Sequence, residues 1–468
     1  MAMAARLLRR TLLASEVGSR VLSTSRGLVR QAAYSTGRIV DVGQPTPQSH
    51  PELLADGEIT PGISSEEYIS RRKRLLEVMP EKSLAIIASA DQQMMTDVVP
   101  YPFRQSGDYL YITGCTQPGG VAVLSEETGL CMFMPETDKE DVVWQGQTAG
   151  VEAAMDFFKA DKAFPLSQLQ KILPDMIERS KAVYHNVKTS SSSYKNLDAF
   201  RRASLNKKVK DLAHYTDELR WVKSKSEVKL MRESASIVSQ SLLQTMLLSR
   251  THREESQLAA KIEYECKMRG AQRMAFHPVV GGGANGSVIH YSRNDRKIKT
   301  GDLLLMDVGC EYHGYLSDLT RTWSPSGRFS PAQVKMLIKG FQELGILEKG
   351  KSVQYNYLNP TAIGHSLGMD IHDSVTLPKD KALEPGVVIT IEPGVYIPPS
   401  PILNENAPER FRGIGIRIED EVLVTETGHE VLTASVPKEV AHLTTLMSMG
   451  GGDAAAVDAH ELRAACSS

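Results

Sequence analysis

Residues 303–322, LLLMDVGCEYHGYLSDLTRT, predict two β-strands joined by a short turn. Asp307 follows a continuous apolar run, so we expect it at a buried strand, where an ionised carboxylate needs a cation or hydrogen bonds. Asp318 lies eleven positions further on, a spacing that can bring it opposite Asp307 across an antiparallel pair. Two carboxylates held together repel each other, and one would be protonated unless a metal ion lies between them.

Three further segments of the second half supply side chains of the same kind. Residues 364–373, GHSLGMDIHD, contain two histidines seven positions apart, His365 and His372. In residues 389–394, ITIEPG, Glu392 ends an apolar strand that Pro-Gly stops. Residues 413–420, GIGIRIED, alternate strictly, so Arg417 and Glu419 share one face of a strand.

Together these segments give an oxygen-rich ligand set with one imidazole and no thiolate: Asp307, Asp318, His365, Glu392 and Glu419. Such a set suits Mn²⁺ or a similar divalent ion better than a structural zinc. Four carboxylates can bridge two ions that activate a shared water. A single buried acid or histidine is more often a hydrogen-bonded structural residue, but five in strand-end or glycine-rich settings predict a metal site.

The length and pattern of the chain predict two domains. A chain of 468 residues exceeds what one hydrophobic core usually supports. Strands alternate with helices up to about residue 210, which predicts an α/β domain. Within it we expect a helix from Ser64 to about Val78 and strands at 84–89, 109–113 and 120–124. A boundary near residues 219–227 precedes two helices, at about 227–248 and 254–269, and a strand-rich, glycine-rich half.

Composition excludes some classes of protein and predicts a location. The formal net charge of −2 gives no basic field of the kind that binds nucleic acid, and no apolar run is long enough to span a membrane. Five scattered cysteines indicate reduced thiols. Residues 1–38 contain seven arginines, no lysine and one acid, which predicts an organelle transit peptide. The frequent arginines favour the mitochondrion, with the matrix as destination, over the chloroplast. The alternative is a disordered tail without an address.

The metal-site strings resemble a known family. MDVGCEYHGYLSDLTRTW, GHSLGMDIHD, TIEPGVY and GIGIRIEDE are similar to the signature of the pita-bread metallopeptidases, peptidase family M24, and specifically of aminopeptidase P (Xaa-Pro aminopeptidase). Segments of the first half, at residues 59–63, 101–105, 108–114 and 144–146, resemble that family's N-terminal domain. The resemblance covers about residues 58–445 and is nearest to the mitochondrial, intermediate-cleaving branch.

The resemblance implies a fold and a domain plan. An N-terminal α/β domain at 58–215 is followed by an α+β pita-bread (creatinase/aminopeptidase) domain at 216–446. A linker at 39–57 follows the transit peptide, and a disordered tail occupies 447–468. About fifty residues of the family pattern are absent after Phe329, which would expose apolar surface of the curved sheet.

The resemblance also implies roles for individual residues. The five ligands would hold two divalent ions, most simply Mn²⁺, with Asp318 and Glu419 bridging both. Glu392 would also help to activate the bridging water, His290 and His372 would face the substrate, and Arg417 and Tyr396 would lie beside the site. These roles predict a dinuclear aminopeptidase in which a metal-bridging hydroxide hydrolyses the first bond of peptides or processed protein N-termini. The family further implies a dimer or larger assembly.

Two alternative functions stay open at this point. One is a prolidase-type dipeptidase, which would need a pocket for the carboxylate of a dipeptide. The other is a pita-bread protein that binds a partner and is catalytically impaired by the absent segment.

Overall fold

The computed structural model describes residues 42–331, 333, 360–400 and 409–449. The predicted transit peptide, the break after Phe329 and most of the predicted tail lie outside the described residues. Residues 447–449, which we expected in a disordered tail, form the end of a helix, and Met447 is buried there. No described helix combines the length and apolar character needed to span a bilayer.

The first half is built on a six-stranded mixed sheet with the order β6-β5-β4-β3-β7-β8. A short hairpin of β1 and β2 precedes this sheet. The strands are β1 Glu58–Thr60, β2 Ile63–Ser64, β3 Ser83–Ala88, β4 Val121–Ser125, β5 Gly129–Met134, β6 Lys162–Pro165, β7 Ala182–His185 and β8 Val209–Asp211. The helices are α1 Ser65–Val78, α2 Gly107–Thr113, α3 Lys139–Gln145, α4 Val151–Asp156, α5 Leu169–Arg179, α6 Ser192–Lys195, α7 Asp198–Leu205 and α8 Ala213–Trp221.

Alternate residues of the central strand β3 enter two different cores. Leu84 and Ile86 pack with α5 and α7 on one face of the sheet, whereas Ala85 and Ile87 pack into the larger core on the other. All six residues of β3 are therefore buried, as expected for a strand covered on both faces. The segment expected to be a linker contributes to this packing, because Val42 belongs to the larger core.

The predicted strand at 109–113 is wrong. These residues belong to helix α2, which ends at Gly114 in the left-handed conformation with φ 74°. Every residue of α2 is buried, so its apolar run has no polar face that would reveal a helical period. A short, fully buried run of this kind cannot be assigned to helix or strand from periodicity alone.

The second half packs two long helices against short sheets. The helices are α9 Lys225–Leu248, α10 Glu255–Met268 and α11 Val440–Met449. Ser224 and Glu227 form a capping box at the start of α9, which explains why the helix begins at this boundary. The strands are β9 Arg273–Met274, β10 Val279–Gly282, β11 Leu304–Val308, β12 Cys310–Tyr312, β13 Tyr315–Leu316, β14 Leu319–Trp323, β15 Val388–Ile391, β16 Gly394–Ile397, β17 Ile414–Arg417, β18 Asp420–Thr425 and β19 Gly428–Val431.

The stretch 303–322 forms four short strands in place of the two predicted. β11 pairs with β14, and the smaller pair β12–β13 lies between them in sequence. The described part of this half contains four small sheets: β10-β11-β14, β13-β12-β9, β15-β18-β19 and β16-β17. Strands β11, β14, β15, β17 and β18 carry or border every predicted metal ligand.

Candidate metal centre

Asp307 and Asp318 lie on one face of the β11–β14 pair. Asp307 is opposite Thr320 in the register, so Asp318 is its diagonal neighbour and not the directly opposite residue that we expected. Asp318 immediately precedes β14, is 6% exposed, and its backbone N–H donates to Glu421 Oε1 at 3.0 Å. The sheet therefore places the partly buried Asp307 and the buried Asp318 on one face.

Glu419 reaches the same face from the turn between β17 and β18. Its backbone N–H donates to the carbonyl oxygen of Thr320 at 3.0 Å, and the Thr320 hydroxyl donates to Glu419 Oε2 at 2.7 Å. The side chain is 1% exposed. Thr320 thus fixes both the backbone and the carboxylate of Glu419, a contact that sequence reasoning missed although Thr320 lies only two residues after Asp318.

His365 comes from a segment that runs antiparallel to β15. The backbone N–H of Thr390 donates to the carbonyl of His365 at 2.8 Å, and that of Glu392 donates to Ile363 at 2.7 Å. The ring Nδ1 lies 3.0 Å from the Ser366 carbonyl oxygen. Because a carbonyl only accepts, Nδ1 carries a proton there, which leaves the other nitrogen, Nε2, as the atom free to bind a metal.

The ring nitrogen Nε2 of His365 faces two of the acids. It lies 3.5 Å from Asp318 Oδ2 and 3.4 Å from Glu392 Oε1. Asp318, His365 and Glu419 each offer an atom within 4.8 Å of the other two. Glu392 follows β15 directly, and its Oε1 accepts a hydrogen bond of 3.3 Å from the Thr390 hydroxyl. The structure thus brings the predicted ligands of four separate segments together.

Three acids of this cluster, Asp318, Glu419 and Glu392, have raised pKa values. Burial, followed by the charges of Glu419, Asp307 and Glu392, raises the pKa of Asp318 well above its usual range. Burial and then the charges of Asp307 and Glu392 raise the pKa of Glu419 in the same way. The pKa of Glu392 is also raised, first by burial. A divalent cation would favour the charged form of these buried acids and relieve their mutual repulsion.

Asp307 provides a direct test of whether a cation fits. One of its oxygens, Oδ2, accepts from Arg417, whereas Oδ1 is buried and has no hydrogen-bond partner among the described residues. A buried carboxylate oxygen without a donor is costly unless a cation contacts it. The donor set is also hard and oxygen-rich. The residues present therefore fit divalent metal ions.

Arg417 ties the cluster to its surroundings. It donates from Nη1 to Tyr396 Oη at 2.7 Å, from Nε to Thr320 Oγ1 at 3.0 Å, and from Nη2 to Asp307. Its side chain is 2% exposed, and its pKa is raised although burial alone opposes the charge, because Asp307 and other neighbours favour it. Arg417 and Tyr396 therefore lie beside the site, as expected.

Of the two predicted substrate-side histidines, His372 lies against the predicted ligand His365, and His290 precedes Tyr291, which packs with Tyr396. The rings of His365 and His372 are 4.5 Å apart between centroids and inclined by 76°. Partial burial lowers the pKa of His372, and the neighbouring charges of His365 and His290 lower it further. His290 and His372 are both exposed, so a ligand has access to their rings.

Glu421 is a further acid that sequence reasoning missed. It is completely buried, Oε1 accepts from the backbone of Asp318, and Oε2 has no partner within the described ranges. Burial raises its pKa well above the usual range. The alternation that placed Arg417 and Glu419 on one face extends to Glu421, and this signal was available in the sequence.

Comparisons with known proteins agree with this geometry. Residues 68–184 match the family model described as the aminopeptidase P N-terminal domain, and residues 229–345 and 345–426 match the model of metallopeptidase family M24. The chain is 57% identical to the mitochondrial intermediate cleaving peptidase 55 of Arabidopsis thaliana, over 90% of each chain. It is 32% identical to Xaa-Pro aminopeptidase 3 of Rattus norvegicus, over 87% of this chain and 90% of the relative.

Solved structures give the same result. Aminopeptidase P of Escherichia coli with the inhibitor Pro-Leu has a TM-score of 0.75 and 30% identity, covering 83% of this chain and 99% of that chain. An aminopeptidase of Pseudomonas aeruginosa has a TM-score of 0.75 and 32% identity, covering 84% and 99%. These likenesses confirm the predicted pita-bread fold class and the hydrolase class. The chain therefore belongs to the aminopeptidase P branch of metallopeptidase family M24.

Proposed function

We propose that this metal-dependent aminopeptidase works in the mitochondrion and removes one residue from the N-termini of processed, imported proteins. Two independent features support the proposal. The relative from Arabidopsis thaliana that matches 90% of the chain is named a mitochondrial intermediate cleaving peptidase. The first 38 residues have the arginine-rich, acid-poor composition of a transit peptide. The matrix follows as the compartment in which a freshly processed N-terminus would appear.

The observation that carries the catalytic part is the unsatisfied acid cluster. Asp307 Oδ1 is buried without a donor in the described part of the chain, and Asp318 and Glu419 have strongly raised pKa values. We infer that Asp307, Asp318, His365, Glu392 and Glu419 would hold two divalent ions. The hard donor set favours Mn²⁺. One solved relative is a zinc-substituted Escherichia coli enzyme, so metal content must be measured on this protein.

The chemistry that the ions supply is a water of lowered pKa and a polarised carbonyl. Glu392 would accept a proton from water and deliver it to the leaving nitrogen, because its carboxylate lies within the cluster, 3.4 Å from His365 Nε2. His290 and His372 are exposed, so their N–H groups can stabilise charge that develops on the carbonyl oxygen. Arg417 keeps Asp307 in place.

Specificity for the N-terminus needs a group that recognises a free amine. Asp307 lies in the acid cluster and retains one oxygen without a donor among the described residues. We infer that the substrate amino group is held by Asp307 or by an ion beside it, so that the enzyme cleaves the first peptide bond. A dipeptidase would additionally need a cationic pocket for the carboxylate of the second residue.

A second candidate function is a binding protein of impaired activity. The sequence prediction of an absent segment after Phe329 favours this function, and the family model matches the chain in two segments, residues 229–345 and 345–426. Two isoleucines near the predicted ligands are exposed: Ile363 is 60% exposed and Ile391 is 39% exposed. This pattern is what loss of a covering segment would leave. The predicted ligands are nevertheless all present, which favours catalysis.

The deciding experiment measures release of the first amino acid by the full-length, Mn²⁺-loaded protein. The peptide panel contains pairs of equal length with and without proline at the second position, and dipeptides. Asp318→Ala is the control, since it removes a proposed ligand. Metal-dependent release that the control lacks establishes the activity, and the panel shows the proline dependence. A folded, metal-loaded protein that releases nothing would contradict catalysis and favour the binding protein.

A further inference from the structure

Glu255, the first residue of α10, is a buried acid that the metal centre does not use. It is 0% exposed and makes no salt bridge with any described residue. Its Oε1 accepts from the backbone N–H of Gly282 at 2.9 Å and from Asn285 Nδ2 at 2.8 Å. Its Oε2 accepts from Tyr291 Oη at 2.9 Å and from the backbone N–H of Arg296 at 3.0 Å. A buried carboxylate is here stabilised by four donors.

All four donors belong to one segment, residues 282–296, which we call the His290 loop. Glu255 makes a fifth hydrogen bond to the loop, in which its backbone N–H donates to the carbonyl oxygen of Arg296 at 3.0 Å. Most of the loop is free of regular strands and starts with two glycines, so fixing it costs conformational entropy. A single side chain therefore supplies much of the polar attachment of the loop.

His290 lies between two residues of the loop that are fixed to the sheet. Tyr291 is 7% exposed and packs with Val279, Leu305 and Tyr396, and Ile289 packs against the same cluster. The His290 side chain is itself exposed. Because the hydroxyl of Tyr291 donates to Glu255, the ring that fixes one side of His290 is held by the buried acid.

We propose that Glu255 is a positioning residue of the aminopeptidase reaction, which holds the His290 loop in place and so fixes the position of His290 at the site. The proposal rests on the substrate-side role given to His290 in the proposed function. Tyr291, the residue after His290, packs with Tyr396, whose hydroxyl accepts a hydrogen bond from Arg417, so the loop lies against the site. Glu255 touches none of the proposed ligands in the described structure and acts through the loop alone.

The test compares Glu255→Gln in two backgrounds of the full-length, Mn²⁺-loaded protein. The amide keeps the volume of the side chain but places an NH₂ group opposite two of the donors. The hydrogen bonds from those donors are lost, and the loop is less firmly attached to α10. We expect Glu255→Gln to lower kcat on a proline-containing peptide on the order of tenfold to a hundredfold, as misplacement of a catalytic group does. In a His290→Ala background the same change should alter kcat by less than about twofold, because its target is gone.

The neighbouring acid offers a matched control. Glu254→Gln removes the same charge one residue earlier, where the side chain is 43% exposed and lies 4.0 Å from Lys297. It should leave kcat and KM unchanged. Equal losses from Glu255→Gln with and without His290 would overturn the proposal in favour of a purely structural role, as would unchanged kcat in the single variant. Tyr291→Phe, which removes one donor of the four, replaces Glu255→Gln if that variant does not fold.

A second measurement does not depend on activity. Hydrogen exchange followed by mass spectrometry should show faster exchange across residues 283–292 in Glu255→Gln, with α9 unchanged. If exchange of the loop stays the same, Glu255 does not anchor it and the proposal fails, whatever the kinetics. An inactive parent protein with the expected exchange would instead contradict the proposed function and leave the anchoring role supported.

Discussion

Arg417 and Asp307 form a partly buried ion pair in which only one oxygen of the acid accepts a hydrogen bond. Nη2 of Arg417 donates to Asp307 Oδ2, while Oδ1 has no donor among the described residues. The other nitrogens of Arg417 bind Tyr396 and Thr320. The arginine thus orients the acid and leaves its second oxygen toward the proposed ions.

Arg417→Lys tests this orientation. Lysine keeps the charge but has no planar fork, so it cannot contact Asp307, Tyr396 and Thr320 together. We expect kcat to fall on the order of tenfold to a hundredfold, with a weaker apparent affinity for Mn²⁺. Steady-state kinetics across a metal titration checks this. Tyr396→Phe removes only one of the three contacts and should have a smaller effect; a variant Arg417→Lys with parental kcat would contradict the role.

The sequence predicted the acid cluster because each acid ends or follows an apolar strand, which is a local signal. Glu392 before Pro393 and Asp307 after residues 303–306 could be recognised one segment at a time. The structure confirms that the predicted acids lie close together, whereas their roles as metal ligands stay a prediction. Strand β3 was also predictable from a local signal, a short apolar run. The structure buries all six of its residues.

Contacts between distant segments could not be predicted in this way. Arg417 and Asp307 are 110 residues apart, and no local pattern pairs them. The diagonal placement of Asp318 depends on the nested pair β12–β13, which sets the register of β14. Helix α2 was missed because burial on all sides removes the periodicity that distinguishes helix from strand.

The acid cluster predicts an unusual pH dependence for the metal-free protein. The pKa of Asp318 is raised above its unfolded value of about 3.9, first by burial and then by Glu419. The folded state then binds this proton more tightly than the unfolded chain. The stability that Asp318 contributes is therefore complete below about pH 4 and is lost as pH rises through the folded pKa.

Asp318→Asn isolates this effect, because asparagine carries no charge at any of these pH values. In chelator, the Tm of the variant minus that of the parent should be near zero at about pH 4 and should increase toward about pH 8. In excess Mn²⁺ at about pH 8 the parent should have the higher Tm, since an ion bound only by the folded parent raises its Tm. Thermal unfolding across pH measures both. If the Tm of the two proteins changed with pH in the same way, the proposed repulsion would be contradicted.

A buried ion network joins the two domains near His372. Arg220 of α8 bonds to Asp108 at 3.0 Å, to Asp370 at 2.6 Å and to Asp373, and it is 5% exposed. Arg220→Met leaves the buried Asp108 without a cation and leaves Asp373 with Lys223 alone, which costs about 3–5 kcal/mol of unfolding free energy. Urea unfolding of the Mn²⁺-loaded protein measures the loss.

The matched control for the network is an exposed pair of the same type. Arg202 and Glu178 lie 3.0 Å apart with side chains 61% and 60% exposed. Arg202→Met should cost less than about 1 kcal/mol, because solvent screens such pairs. Equal costs for the two arginine variants would mean that burial adds nothing to the Arg220 network.

Gly364, which directly precedes His365, lies too close to β15 to carry a side chain. A Cβ atom placed there would overlap the carbonyl oxygen of Thr390, whose backbone N–H in turn binds the carbonyl of His365. Gly364→Ala must therefore push this segment away from β15, and the imidazole must move with it. Displacement of one ligand should weaken Mn²⁺ binding by on the order of tenfold to a hundredfold.

Calorimetric titration of the metal-free protein with Mn²⁺ checks this, and Gly150→Ala is the control, since no atom lies within 4 Å of a Cβ there. If both variants bind Mn²⁺ as the parent does, the position of His365 does not depend on its contact with β15, and the ligand role of His365 loses its main structural support.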